Sequence, residues 1–369
     1  MTSLPANRAK TLKEAYRACE LKPLTGENIA RYYVDLSAVG NTVAIAGVST
    51  DLDIHEPGEF DTILFTGDRE CGKSTELKRI QSQCENAYRV IYREFDWERD
   101  VNDAEYTDLY LLFIKKVADD LTELRLKFDP KLLDSFESWF KEVTQETEAT
   151  VQSSVCSETL GRNLSRWQTD INLWLKDAFD KLKRKYPDRY QKGFLVIVAN
   201  LERIPPSVGN HWFFDEAPQL QELDCTIIYT VPISVIYSDK NVSNLFGNPN
   251  IVPMVNIYEV SRSECDLNYN QQRWEGVTSL IEQRVEVSSA IFADRQQLLD
   301  LVKARGGHLR QLMQVSRSAC RTAITRKHSK ILAKILTYAL KQQQFDLEKS
   351  TPGPEYYTKL PEIGIEKEI

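Results

Sequence analysis

Gly67-Asp68-Arg69-Glu70-Cys71-Gly72-Lys73-Ser74 is the segment of this 369-residue chain whose residue types and spacing most directly imply chemistry, because it fits G-x-x-x-x-G-K-[ST]. A glycine-bounded turn lets backbone N–H groups wrap a phosphate, and a helix starting near Lys73 turns its positive end toward the same anion. Lys73 would then reach the β- and γ-phosphates, the Ser74 hydroxyl would ligate Mg²⁺, and the amides from Gly67 to Thr75 would form the cradle. An apolar run, Thr62 to Phe65, precedes the segment, and Leu77, Ile80 and Cys84 follow at helical spacing. The bland alternative is a chance glycine turn. Asp68 and Glu70 are unusual in a loop meant for a polyanion. Either Arg69 neutralises them or their side chains face solvent.

The elements that must position this loop follow an alternating pattern. Tyr88 to Tyr92 reads as a strand leading into an acidic loop, Phe95 to Asp100, and Tyr106 to Leu124 repeats apolar residues at helical spacing. Helices are expected over 131 to 149 and 162 to 185, separated by a Ser-rich connection, Val151 to Glu158; together they form an insertion over about 125 to 190. Gly193 to Val198 is the most apolar strand candidate and suits the middle of a parallel sheet. A helix near Phe213 to Leu223, a strand at Cys225 to Val231, a short helix near Ile233 and a strand at Ile251 to Val255 complete the series. This order predicts an α/β fold with a doubly wound parallel sheet and ligands at the carboxyl ends of its strands. From about Ser261 the strands are expected to stop. Helices over 270 to 285, 295 to 303, 308 to 323 and 329 to 343 then build an all-helical lid. The resulting division is an N-terminal helical extension (1 to 55), a core (56 to 258), the lid (259 to 345) and an extended tail (346 to 369).

Composition narrows the functional class. The net charge of −7 argues against nonspecific nucleic-acid binding by the chain as a whole. Seven dispersed cysteines without a C-x-x-C pair, and four scattered histidines, suggest neither a disulfide frame nor a metal cluster. No apolar run is long enough to span a membrane and the N-terminus lacks a signal-peptide core, so a cytoplasmic protein is expected. Between Leu301 and Phe345 there is no acid, while ten residues are Lys or Arg. Such a block binds nucleic acid, an acidic partner, or the protein's own acidic core, or it is a solvated face. Aromatic residues do not read as interleaved with it.

In four places, in order, the chain resembles the additional-strand P-loop ATPases, in particular the AAA+ and STAND-like ATPases of bacteria: FTGDRECGKSTEL, LVIVANLERIP, IIYTVPISVIY and ARGGHLRQLM. The resemblance covers roughly residues 56 to 345. It implies ATP and Mg²⁺ as cofactors, and it implies an acidic pair at the end of the third strand. Here Ala199 stands where the Mg²⁺-associated Asp would be, Asn200 where an acid is common, and only Glu202 remains as a candidate to orient water. Binding survives such a loss, and hydrolysis should slow. Three accounts of Ala199 stay open: a natural chain with little turnover, a substitution made to trap the bound state, or a strand end that does not align with the motif. Thr230 is placed by the resemblance where it could sense the γ-phosphate, or it bonds to backbone as strand-end threonines do. Arg310, in Gly306-Gly307-His308-Leu309-Arg310, matches a lid arginine that closes on ATP, with a surface helix arginine as the alternative. The implied roles are a nucleotide-dependent switch, working as a homo-oligomer or through a partner effector protein in signalling or phage defence, or else a nucleic-acid-handling loader. Adenine over guanine rests on the resemblance alone.

Overall fold

The computed structural model describes residues 8–40, 43–95, 106–126, 156–260, 265–287 and 291–350. In chain order the described helices and strands are α1 (Leu12–Ala18), α2 (Glu27–Tyr32), α3 (Ser37–Gly40), α4 (Val43–Ile54), β1 (Thr62–Gly67), α5 (Lys73–Cys84), β2 (Arg89–Glu94), α6 (Tyr106–Glu123) and α7 (Cys156–Lys185). They continue with β3 (Phe194–Ala199), α8 (Pro206–Asn210), α9 (Ala217–Gln221), β4 (Thr226–Thr230), α10 (Ile233–Ile236), α11 (Ser243–Phe246) and β5 (Asn250–Val252). The last are β6 (Tyr258–Val260), β7 (Cys265–Tyr269), α12 (Gln271–Glu282), α13 (Arg295–Arg305), α14 (Leu309–Thr325) and α15 (Ala333–Ser350). The expected helix over 131 to 149, and most of the Ser-rich connection and acidic loop, lie outside the described residues.

Two compact units divide the chain: Thr42–Asp68 with Lys73–Val252, and Met1–Asn41 with Arg69–Gly72 and Pro253–Ile369. The first holds a five-stranded parallel sheet in the order β2-β3-β4-β1-β5. Every residue of β1, β3 and β4 is buried, which explains why they are mainly apolar and do not alternate: a strand covered on both faces has no solvent side. One face packs Leu64, Val196, Val198 and Ile227 against Phe113 and Val117 of α6 and Trp174 and Leu175 of α7. Apolar positions on α5, namely Leu77, Ile80 and Cys84, are buried as their spacing requires. Burial pushes the Cys84 thiol up to about 11, so it is a neutral packing group at neutral pH. A π-type turn over His211–Asp215 buries Trp212 and Phe213 in the same core.

The second unit is mainly helical. α1, opened by a capping box in which Thr11 and Glu14 satisfy each other's backbone N–H groups, packs on α14. The N-terminal segment is tied in further by parallel pairing of Ala9 with Val285 and by the buried guanidinium of Arg284, which donates to Leu280 O at 2.7 Å and Tyr32 O at 3.3 Å. Burial lowers the pKa of that guanidinium, and the two carbonyls supply the partners a buried cation needs. Strands do not end at Ser261. β6 and β7 form an antiparallel hairpin, with Tyr258 and Tyr269 stacked at 5.2 Å between ring centroids. A two-stranded ribbon of three- and five-residue strands leaves a weak periodic signal, which is why the lid read as wholly helical. α15 runs on through Ser350, beyond the expected end at 343, because no Gly or Pro interrupts the chain from Gln344 to Ser350; the first five residues of the expected extended tail, 346 to 350, are therefore helical, and the rest of it lies outside the described residues. Among the described residues no helix is long and apolar enough to cross a membrane.

Candidate functional site

The loop between β1 and α5 is shared between the units, and its side chains are held in two different ways. In the sheet unit, Lys73 is 6% exposed, and its ammonium donates to Gly67 O at 2.9 Å and Asp68 O at 2.7 Å. The lysine therefore bends back over its own loop and ties it into a ring of backbone. Thr66 extends this support: its hydroxyl donates to Val231 O at 2.8 Å, joining the end of β1 to the end of β4. Ser74 stands in the first turn of α5, and Thr75 follows it. Gly72 has φ +107°, a conformation that strains any residue with a Cβ, so glycine is required there for backbone reasons.

In the helical unit, Glu70 is bound. Its carboxylate lies 3.3 Å from Arg310 Nε and 3.5 Å from His308 Nε2. Of the two sequence-level alternatives, neutralisation by Arg69 or carboxylates facing solvent, neither describes Glu70: Arg69 is exposed, Glu70 adopts φ +68°, and its carboxylate pairs with His308 and Arg310 at the start of α14. His308 is the N-cap of α14, accepting from Gln311 N at 3.4 Å through Nδ1. That leaves its Nε2 as the donor toward Glu70, so the contact does not require a charged imidazole. Cys71 is buried, and Asp68 is exposed. Gly307 fixes where α14 begins: a Cβ there would sit 1.9 Å from Val255 O, and its φ is +87°. No other residue type fits.

The carboxyl end of β3 has a different character. Ala199 is 2% exposed, Asn200 turns the chain through a left-handed φ of +71°, and Leu201 is buried. Leu201 N donates to Thr230 Oγ1 at 3.0 Å, so the threonine hydroxyl accepts from the backbone of the turn after β3. Glu202 Oε2 is buried and meets no hydrogen-bond partner among the described residues. Nearby, burial raises the Tyr92 phenol, with the fields of Glu94 and Glu202 adding to the shift. Sequence reasoning missed two residues here. His308 shares the Glu70 carboxylate with Arg310, and its place two residues before Arg310 was the available signal. Glu94, at the end of β2, is the register partner of Ala199, and only the strand pairing reveals it.

Among the described residues, no group of three or more His, Cys, Asp or Glu side chains is arranged to hold a metal ion.

The strand order, with β4 between β1 and β3, together with the glycine-lysine loop after β1, defines the additional-strand P-loop NTPase fold. No protein-family model matches the chain, and no curated protein matches it. Similar solved structures include the ORC2 protein of Aeropyrum pernix in its ADPNP-ADP complexes, at 12% identity and TM-score 0.42, covering 82% of this chain and 67% of that one. A mutant of Thermotoga maritima RuvB is similar at 10% identity and TM-score 0.41, over 87% of this chain and 72% of that one. A Walker-type ATPase of Pyrococcus abyssi is similar at 14% identity and TM-score 0.39, over 91% and 80%. Likeness at this level transfers no residue roles, and the fold class stands on the chain's own strand order.

Proposed function

We propose that this chain is an ATP-binding switch of the AAA+ or STAND-like type with slow turnover, acting in the cytoplasm on a partner effector or through its own oligomerisation. The observation that carries this reading is the pairing of Glu70, inside the phosphate loop, with His308 and Arg310 at the start of α14. In the proposal, Gly67 to Thr75 supply backbone N–H donors, Lys73 exchanges its two loop carbonyls for phosphate oxygens, and the Ser74 hydroxyl completes the shell of a bound Mg²⁺. Mg-ATP supplies a dense polyanion with its own cation. Against it, Glu70 is a single, partly exposed carboxylate, and exposed ion pairs of this kind contribute only about 0–1 kcal/mol. Arg310 is therefore free energetically to change partners, which is what a nucleotide-sensing arginine requires.

Slow turnover follows from the end of β3. Without a carboxylate at Ala199 the metal loses an outer-shell partner, and Glu202 is left as the acid able to orient water. A role in bacterial signalling or phage defence is the finer form of the proposal and rests on the family resemblance. The alternative, a nucleic-acid-handling ATPase working through the basic region from 301 to 345, is favoured by the outer face of α15 described below.

Calorimetry of ATP, ADP and GTP binding with Mg²⁺, paired with mass measurement of the assembly, tests the reading. Binding of ATP that alters the assembly or its protease sensitivity, lost in Lys73→Ala, is the expected result. Tight binding with no conformational response would reject the switch, and no binding at all would reject the site.

A further inference from the structure

We propose that the outward face of α15 is a binding surface for single-stranded nucleic acid. Lys334, Tyr338, Lys341, Phe345 and Lys349 recur at intervals of four, three, four and four residues, and all five are exposed. On an α-helix those intervals make one stripe, about 22 Å long at 1.5 Å per residue. The opposite side of the same helix, with Ile335, Leu336 and Ala339, is buried in the unit's core, so the stripe is the face the fold leaves outward. Cations and rings alternate along it.

Tyr338 is 40% exposed and Phe345 54%, and neither is needed to fill the core. Each ring carries a cation: Arg326 from the end of α14 lies 4.5 Å from the Tyr338 centroid, and Lys349 Nζ lies 4.3 Å from that of Phe345. An acidic protein surface would use the lysines and leave two large rings in water. A duplex would use the lysines too, but its stacked bases offer no free face to a ring. Unpaired bases can stack on both rings while the phosphates between them meet Lys334, Lys341 and Arg326. The preceding stretch from Leu301 to Phe345 contains no acid, and α15 holds just two, Asp346 and Glu348, in its last turns. The chain's net charge of −7 is no obstacle, since the field that matters is local at physiological ionic strength. Aromatic interleaving escaped the sequence reading because two rings among ten basic residues mean little until their shared helix face is known.

The assignment uses no residue of the phosphate loop, so its failure and that of the proposed switch are separable. The test is fluorescence anisotropy of labelled oligo(dT) and oligo(rU) on the full chain, with duplex DNA and heparin as competitors. Circular dichroism checks that each variant is folded. Oligonucleotide binding should weaken at least about tenfold in Tyr338→Ala and in Phe345→Ala and recover in Phe345→Trp. Lys334→Ala combined with Lys341→Ala should lower the slope of log affinity against log salt by about 1.4. Lys73→Ala should bind the oligonucleotide like the wild type. Absence of binding at low salt overturns the proposal. So do ring variants that bind normally, or heparin and duplex competing as well as oligo(dT), which would make the stripe a general polyanion or acidic-partner surface.

Discussion

Two strand ends of one sheet have been built to opposite standards. After β1, Lys73 is satisfied by two carbonyls, Gly72 takes the left-handed backbone the turn requires, and Glu70 is paired with His308 and Arg310. After β3, Ala199 is buried and apolar, the left-handed turn falls on Asn200, and Glu202 has a buried oxygen that meets no hydrogen-bond partner among the described residues. In the proposed reading the first loop holds the phosphates and the second is poor in groups that could orient water, so holding and hydrolysing become separable demands on one site.

Perturbing each end should break the comparison in a graded way. Lys73→Ala removes a buried, charged donor from the first loop, and ATP affinity by calorimetry should fall about a hundredfold; an unchanged affinity would mean the loop is not the site. Thr230→Val leaves Leu201 N–H without its buried acceptor, so urea denaturation should report a loss of about 1–3 kcal/mol. A neutral result there would mean the turn after β3 is held by something else. Ala199→Asp restores the missing acid, and hydrolysis of Mg-ATP should rise about tenfold. A rate that stays at the wild-type level would reject the proposed account of position 199. Glu70→Gln weakens the hold on Arg310, and ATP affinity should increase up to about fivefold, with the gain absent in the Glu70→Gln, Arg310→Ala double variant. A gain that persists without Arg310 would assign the effect to charge repulsion in the loop instead.

Much of the sheet was legible beforehand, for a reason visible in its burial. β1, β3 and β4 are covered on both faces, so Thr62 to Phe65, Gly193 to Val198 and Cys225 to Val231 are mainly apolar, with threonines as the buried polar side chains. The hairpin of β6 and β7 was not legible, because strands of three to five residues carry almost no periodic signal. At the candidate site the loop was plain from its spacing, but the partner of Glu70 was not. The lid motif that supplies that partner lies more than two hundred residues away, as His308 and Arg310 show.

Residue types and local spacing by themselves determined most of the strand and helix series and the glycine-lysine pattern from Gly67 to Ser74, because backbone propensity and periodic burial act over a few neighbouring residues; an acid expected at position 199 is implied by the resemblance alone. Tertiary structure alone decided the pairing of Glu70 with α14, the register of Glu94 beside Ala199 and the collection of Tyr338 and Phe345 onto one outward stripe. Those depend on which surfaces are left over once every apolar face has found its partner, and that is a property of the whole chain's packing.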